Sequence, residues 1–306
     1  MILKARLTYN PPMPLSFRDK LNSNAFLITS EVSPPKGTDL GEVLADAQLL
    51  KGQVDALNVT DNQRAVMRMS PLAVSKVLLD AGHEVIMQLT CRDRNRLALQ
   101  SDLLGAYAMG VRNICVMTGD YTTKGDHPKA KPVYDMDSVQ LLAMVQKMKQ
   151  GYDLAGNVID KPPEFVVGAV SNTDPSNMMQ MLKLKKKAKM GLDFIQTQAV
   201  YDTEQFKGFM EIADEIQVPV IAGIIPLKSA KMADFMNNNV PGISVTTDII
   251  ERMETAEEPI EEGLKIAAES INELKGLCRG VHIMPIGKHT NTPKLLEMSG
   301  IGKNNS

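Results

Sequence analysis

The stretch Asn113-Ile114-Cys115-Val116-Met117-Thr118-Gly119-Asp120 runs four unbroken apolar residues straight into a small residue, a glycine and a carboxylate. With the Met109-Gly110-Val111 turn before it, this is the pattern of a strand covered on both faces, as in a parallel sheet with helices outside. It predicts that Asp120 stands at a strand's carboxyl end, where Gly119 lets backbone approach a ligand. Taken alone, Gly119-Asp120 is better explained as an ordinary strand-to-helix turn. The rest of the chain shifts that balance.

Working outward, short β-branched runs recur at residues 26–32, 56–61, 85–91, 165–170, 194–200, 219–225 and 280–284. Between them lie segments with helical spacing. These cover residues 40–51 and 95–109, begin at Ser70-Pro71 with Ser70 as a cap, at Asp174-Pro175 and at Thr203, and continue through 229–237 and a largely helical acidic insertion, 248–273. A last helix begins at Thr292-Pro293. Eight strands each followed by a helix predict a (β/α)8 TIM barrel of the usual ~250 residues. The domain reading is an amino-terminal arm over residues 1–25, wrapping or underlying the body, and one barrel over 26–306. A doubly wound sheet competes, but no GxGxxG follows the first strand. The loop 121–136, rich in Gly, Lys, Asp and Pro, is expected to cover or line a site.

Composition narrows the function classes. The 306 residues are 43% hydrophobic and carry a net charge of -2, from 34 basic and 36 acidic residues. There is no global field to recruit nucleic acid or an anionic membrane, so small molecules or proteins are the expected partners. Cys91, Cys115 and Cys278 form no CxxC pair, which suits reduced thiols in cytoplasm, and no metal site is assigned. No apolar run approaches ~18 residues and no secretory leader pattern opens the chain, so the expectation is a soluble cytoplasmic protein. The twenty methionines are scattered, as core filler would be.

Chemistry in such barrels sits at the carboxyl ends of the strands. Those ends carry Ser30-Glu31, Thr60-Asp61, Gln88 with Thr90, Thr118 to Asp120, Ala169 with Ser171-Asn172, and Thr197-Gln198. Glu31, between apolar Phe26-Leu27-Ile28 and Pro34-Pro35, is placed to be desolvated, which would raise its pKa toward that of a general acid. A glutamate paired to a lysine at the mouth explains the same pattern equally well. Gln198 can donate and accept toward a heterocycle edge or cap the next helix, and Thr60 is either a ligand contact or an N-cap. Lys183, Lys186 and Lys187 share one helical face, which makes either a phosphate clamp or a solvated surface.

In order, Ser30-Glu31-Val32-Ser33-Pro34-Pro35, Val59-Thr60, Leu89-Thr90-Cys91, Thr118-Gly119-Asp120, Leu184-Lys185-Lys186-Lys187, Thr197-Gln198 and Gly223-Ile224-Ile225-Pro226 resemble the methylenetetrahydrofolate reductase family. The resemblance spans residues 26–280 and looks like the short form of anaerobic one-carbon pathways. It implies a flavin-containing barrel that reduces 5,10-methylenetetrahydrofolate to 5-methyltetrahydrofolate, or runs the reverse. By this resemblance Glu31 is the general acid to folate N10, with hydride coming from reduced flavin N5. Asp120 contacts the pterin and tunes the flavin, and Gln198 contacts the folate. Thr60, Thr118, Gly119, Tyr134, Ala169, Asp174, Lys183, Lys186 and Lys187 fall on or near flavin-contacting positions. The flavin implied is FAD. Gln88, where the family usually has a histidine, puts the adenine contacts in question and leaves FMN open.

The chain also departs from the pattern at the site of the pyridine nucleotide. Ala199-Val200-Tyr201 replaces a run of aromatics, and Leu227-Lys228-Ser229-Ala230 lacks the phenylalanine against which a nicotinamide packs. The lost stacking is worth on the order of 1 kcal/mol. The expected donor is therefore an electron-carrying partner subunit; NADH remains the competing reading, with Tyr201 or Leu227 supplying the stacking. A pterin-binding methyltransferase barrel and a non-catalytic docking subunit are the alternative functions. Homo-oligomerisation is left open.

Overall fold

The apolar runs become eight parallel strands in a computed structural model that describes residues 15–302, apart from 24, 241, 286 and 288. They are β1 (Leu27–Val32), β2 (Ala56–Val59), β3 (Val85–Thr90), β4 (Asn113–Met117), β5 (Val166–Ser171), β6 (Phe194–Ala199), β7 (Val220–Ile224) and β8 (Gly280–Ile283). Each pairs with its neighbour in sequence, and β8 closes on β1 with Leu27 opposite Gly280 and Ser30 opposite Ile283. The expected (β/α)8 barrel is what forms. The first 14 residues of the expected arm lie outside the described residues.

Side chains alternate across each strand, so one set fills the barrel and the other packs beneath the helices. Low in the barrel the inward set is apolar: Leu27, Ala56, Ile86, Cys115, Val166, Phe194 and Ile221 form one cluster. Phe17 and Leu21 of α1 (Phe17–Asn22) complete it from below, with the Phe17 ring edge-on to Phe194 at 5.5 Å. A capping box of Ser16 and Asp19 starts this short helix. Lys20 pairs with the buried Asp55 at 3.0 Å, and Arg279 donates to the Lys20 and Leu21 carbonyls, so α1 is fastened across the amino-terminal opening.

One layer higher the inward residues are polar. Asn58 donates to Gln196 at 2.7 Å, Gln196 donates back, and Thr29 bridges Gln196 to His282 at 2.9 Å. Burial pushes His282 down to about 3, so it is neutral at physiological pH. Every member of this layer has a partner, as a buried polar group requires.

The outward set packs against α2 (Gly41–Leu50), α3 (Pro71–Asp80), α4 (Arg96–Ala108), α5 (Ser138–Lys149), α6 (Met178–Gly191), α7 (Thr203–Ile216), α8 (Ala230–Asn239), α9 (Thr247–Thr255), α10 (Pro259–Leu274) and α11 (Thr292–Met298). The acidic insertion forms α9 and α10. Two expectations are corrected. Ser70 precedes α3 but makes no side-chain cap. α6 begins at Met178 rather than at Asp174-Pro175, because Asp174 accepts from the amide and hydroxyl of Ser176 in a separate turn and Asn177 caps the helix. Among the described residues, no helix is long and apolar enough to cross a membrane.

Candidate active site

Above the polar layer, the next inward positions of three adjacent strands place Glu31, Thr60, Gln88 and Thr90 along one side of the carboxyl-terminal mouth. Glu31 is 8% exposed. Gln63, from the loop after β2, donates to its Oε1 at 2.6 Å, and Gln88 bonds the same carboxyl. Burial raises the Glu31 pKa from 4.5 to about 7, and the two amide bonds offset only part of that rise. Among the described residues, no lysine pairs with it. Gln88 therefore serves Glu31 in this structure, whatever else it contacts.

Thr60 is wholly buried, and its Oγ1 has no hydrogen-bond partner among the described residues. Such an atom is costly unless a bound molecule satisfies it. Its neighbour Asp61 accepts from the amide and hydroxyl of Thr90, at 2.8 and 2.9 Å, and pairs with Arg94. Arg92 is buried as well, pairing with Asp93 at 2.7 Å and donating to the carbonyls of Asn62 and Asp120. This lattice of arginine and aspartate joins the loops after β2, β3 and β4. Sequence reasoning missed it, although the run Arg92-Asp93-Arg94 was a signal: consecutive charges directly after a buried strand must be paired.

Gly119 has φ +89, and a Cβ there would lie 3.1 Å from Cβ of Thr90 and 3.3 Å from Cβ of Arg92. Only glycine brings the β4 end this close to β3. Asp120 follows with its side chain 47% exposed and Lys124 at 3.9 Å. The Tyr134 hydroxyl donates to the carbonyls of Gly119 and Asp120, at 3.1 and 2.9 Å, and the Tyr134 ring lies 5.3 Å from that of Tyr121. The polar loop is thus tied back to the end of β4, with Asp120 left facing solvent at the mouth.

The lysine face of α6 is less uniform than its spacing suggests. Lys187 is 5% exposed, donates to the Val170 carbonyl at 2.6 Å, and is lowered to about 8 by burial and by the nearby Lys183. Lys183 is half-buried and reaches Thr118 Oγ1 at 3.4 Å, and Lys186 is exposed. Lys183 and Lys186 are available to an anion, whereas Lys187 is already engaged.

Three further candidates behave differently from one another. Gln198 sits where β6 slips register against β7 between Gln196 and Ala199, and its side chain is half-buried. Asp174 is committed to its turn with Ser176. Ala169 is not brought to the mouth. A Cβ on Gly168 would meet the Phe194 ring at 2.2 Å, so Gly168 faces inward and Ala169 outward, into the cluster with Leu141 and Val145.

For a flavin, the donor set fits in part. The unpartnered Thr60 hydroxyl, the close backbone of Gly119, Thr118, Lys183 and Lys186 suit an anionic, hydrogen-bonding ligand.

A family model described as methylenetetrahydrofolate reductase matches residues 16–300. Methylenetetrahydrofolate reductase 2 of Schizosaccharomyces pombe is 24% identical over 241 residues, 73% of this chain and 37% of that protein. A probable methylenetetrahydrofolate reductase (NADPH) of Caenorhabditis elegans is 22% identical over 248 residues, 76% of this chain and 35% of its own length. The chain thus spans little more than a third of these relatives. Among solved structures, an uncharacterized protein from Clostridium thermocellum that binds two copies of 5-methyl-5,6,7,8-tetrahydrofolic acid superposes with TM-score 0.66 and 18% identity, covering 93% of this chain and 98% of that one. 2,3-Dimethylmalate lyase gives TM-score 0.53 at 12% identity, covering 92% of this chain and 82% of that one, a likeness of fold alone. The family match over nearly the whole described chain shows that this protein belongs to the methylenetetrahydrofolate reductase family.

Proposed function

We propose that this chain interconverts 5,10-methylenetetrahydrofolate and 5-methyltetrahydrofolate, with Glu31 as the group that moves the proton. The observation that carries the proposal is the Glu31 carboxyl, buried among neutral amides and raised to about 7, a proton affinity suited to general acid and base work at neutral pH. In the reducing direction Glu31 protonates folate N10, so the N10–methylene bond breaks and the methylene becomes an electrophilic iminium. In reverse, Glu31 as carboxylate takes the N10 proton back as the ring closes.

The folate would lie across the mouth, its pterin edge against Gln198 and Asp120. A flavin, held by Thr60, Thr118, Gly119, Tyr134, Lys183 and Lys186, supplies the hydride when bound. The Clostridium protein's two bound methyltetrahydrofolate molecules support a barrel of this shape as a pterin binder.

The donor proposal is a partner protein rather than a free pyridine nucleotide. Tyr201 is buried with its hydroxyl on the Ile225 carbonyl at 2.7 Å, and Leu227 is 1% exposed. Neither offers a free face for a nicotinamide, and Ala230 is too small to do so. Reconstituting the purified chain with flavin tests the function. Anaerobic methyltetrahydrofolate should bleach the flavin absorption, and NADH should do so poorly. A flavin that no folate bleaches would refute the oxidoreductase reading.

A further inference from the structure

Resting on the general-acid reading of Glu31, we propose that Gln63 and Gln88 are positioning residues for its proton: two uncharged amides that hold the carboxyl in one orientation while leaving it able to stay protonated. Gln63 donates to Glu31 Oε1 at 2.6 Å, and Gln88 bonds the carboxyl from β3. An amide donor fixes a carboxyl's geometry as a lysine would, but without the charge that would strip its proton.

The loop that carries Gln63 is built to hold it there. Asn62, Arg64 and Ala65, none of them glycine, have φ of 45, 56 and 57, left-handed backbone that persists only where its surroundings enforce it. Those surroundings are specific. Asn62 accepts from the Arg68 amide at 2.9 Å and donates to Asp93 at 3.2 Å, while Arg92 donates to the Asn62 carbonyl at 3.1 Å. Farther along, the Met67 amide donates to Asp126, which Lys36 also holds, at 3.0 and 2.6 Å. Gln63 itself has no left-handed φ and is exposed at the rim, so its side chain can be exchanged without disturbing the strained residues or the core.

Among the described residues, the other titratable groups around Glu31 do not bond its carboxyl. His289, buried on the loop before α11, bonds the Glu31 main chain and faces Asp46 of α2. His282 of β8 is bonded to Thr29 below, and Asp61 is paired with Arg94. Asp120 and Lys124 face each other at the exposed rim of β4. The amides are the only side chains that hydrogen-bond the carboxyl among the described residues, so the sign of its response can be set at Gln63.

The test is a pH titration of the Glu31 carboxyl by 13C NMR in the whole 306-residue chain with labelled glutamate, using Glu31→Gln to assign the resonance. Gln63→Lys should lower the midpoint by about one unit or more, since a cation at hydrogen-bond distance favours the carboxylate. Gln63→Leu should raise it by a few tenths of a unit, since a donor to the carboxylate is lost. The alkaline limb of folate reduction should move with each midpoint. Opposite shifts are a signature that simple loss of structure does not produce. A midpoint unmoved in both variants, with Glu31→Gln inactive, would overturn the proposal and leave the general acid standing. Shifts in the predicted directions with Glu31→Gln fully active would uphold the amide clamp and remove the catalytic reading instead.

Discussion

The two ends of this barrel solve opposite problems with the same strands. At the amino-terminal end Phe17, Leu27, Phe194 and Ile221 need nothing but each other, and α1 seals them from water. At the carboxyl-terminal end, four residues farther along β1, Glu31 is held partly against its own solvation, and Thr60 Oγ1 is buried without a partner. Stability is gathered at one end and given up at the other, as expected where a site needs groups the fold alone would not choose. The polar layer of Thr29, Asn58, Gln196 and His282 separates the two.

The contrast can be broken most strongly from below. Phe17→Ala should cost about 3 kcal/mol of unfolding free energy, the price of a buried aromatic, while the folded fraction keeps its turnover. Urea denaturation combined with activity per folded molecule checks it. A cost below about 1 kcal/mol would mean that α1 does not seal the floor.

At the mouth the sign reverses. Between 4.5 and about 7 the native state holds the Glu31 proton that the unfolded chain releases, so this residue lowers stability as pH rises through that window. Glu31→Gln, which accepts the same amide bonds without a charge, should therefore match wild type below the window. Above it, the variant should be more stable by up to about 3 kcal/mol. Calorimetry across that range would show it, and equal stability throughout would mean that Glu31 is not strained. The same variant should lose turnover, which makes the trade explicit.

Smaller effects follow on the rim. Changing Lys183 and Lys186 together to Ala should weaken flavin binding by about 2 kcal/mol, a typical worth for charge-assisted contacts, with the circular dichroism of the barrel unchanged. Lys187 is left intact because its buried ammonium holds the Val170 carbonyl, and its removal would confuse affinity with folding. Unaltered flavin titration in the double variant would return that helix face to plain solvation. Asp120→Asn should raise the flavin reduction potential by an amount equivalent to less than about 1 kcal/mol. Its half-exposed carboxylate is screened by water and by Lys124. An unmoved potential would place Asp120 away from the ring.

The strands were legible because short β-branched and apolar runs recur between segments of helical spacing, and Glu31 was legible because a carboxylate follows apolar Leu27-Ile28 near the end of the first of them. What escaped depended on phase and partners. The outward direction of the Ala169 side chain is a single step of phase along β5, which exchanges the mouth for the helical layer. Lys183, Lys186 and Lys187 looked equivalent in helical spacing, yet Lys187 alone turns in to the Val170 carbonyl. Asn58, Gln196 and His282 lie in different strands, and only barrel closure makes them one network. Gln63 was invisible because its role comes from the left-handed backbone around it, which residue types such as Arg64 and Ala65 do not announce.

The central claim is that Glu31 moves the folate proton, and the pH dependence of turnover in both directions, for wild type and Glu31→Gln side by side, addresses it most directly. Wild type should lose folate-reducing activity and gain dye-linked methyltetrahydrofolate-oxidising activity as pH rises through about 7, because one residue is acid forward and base in reverse. Glu31→Gln should fall by about 10² or more in both directions. Wild-type rates in Glu31→Gln, with the same pH limbs, would contradict the account.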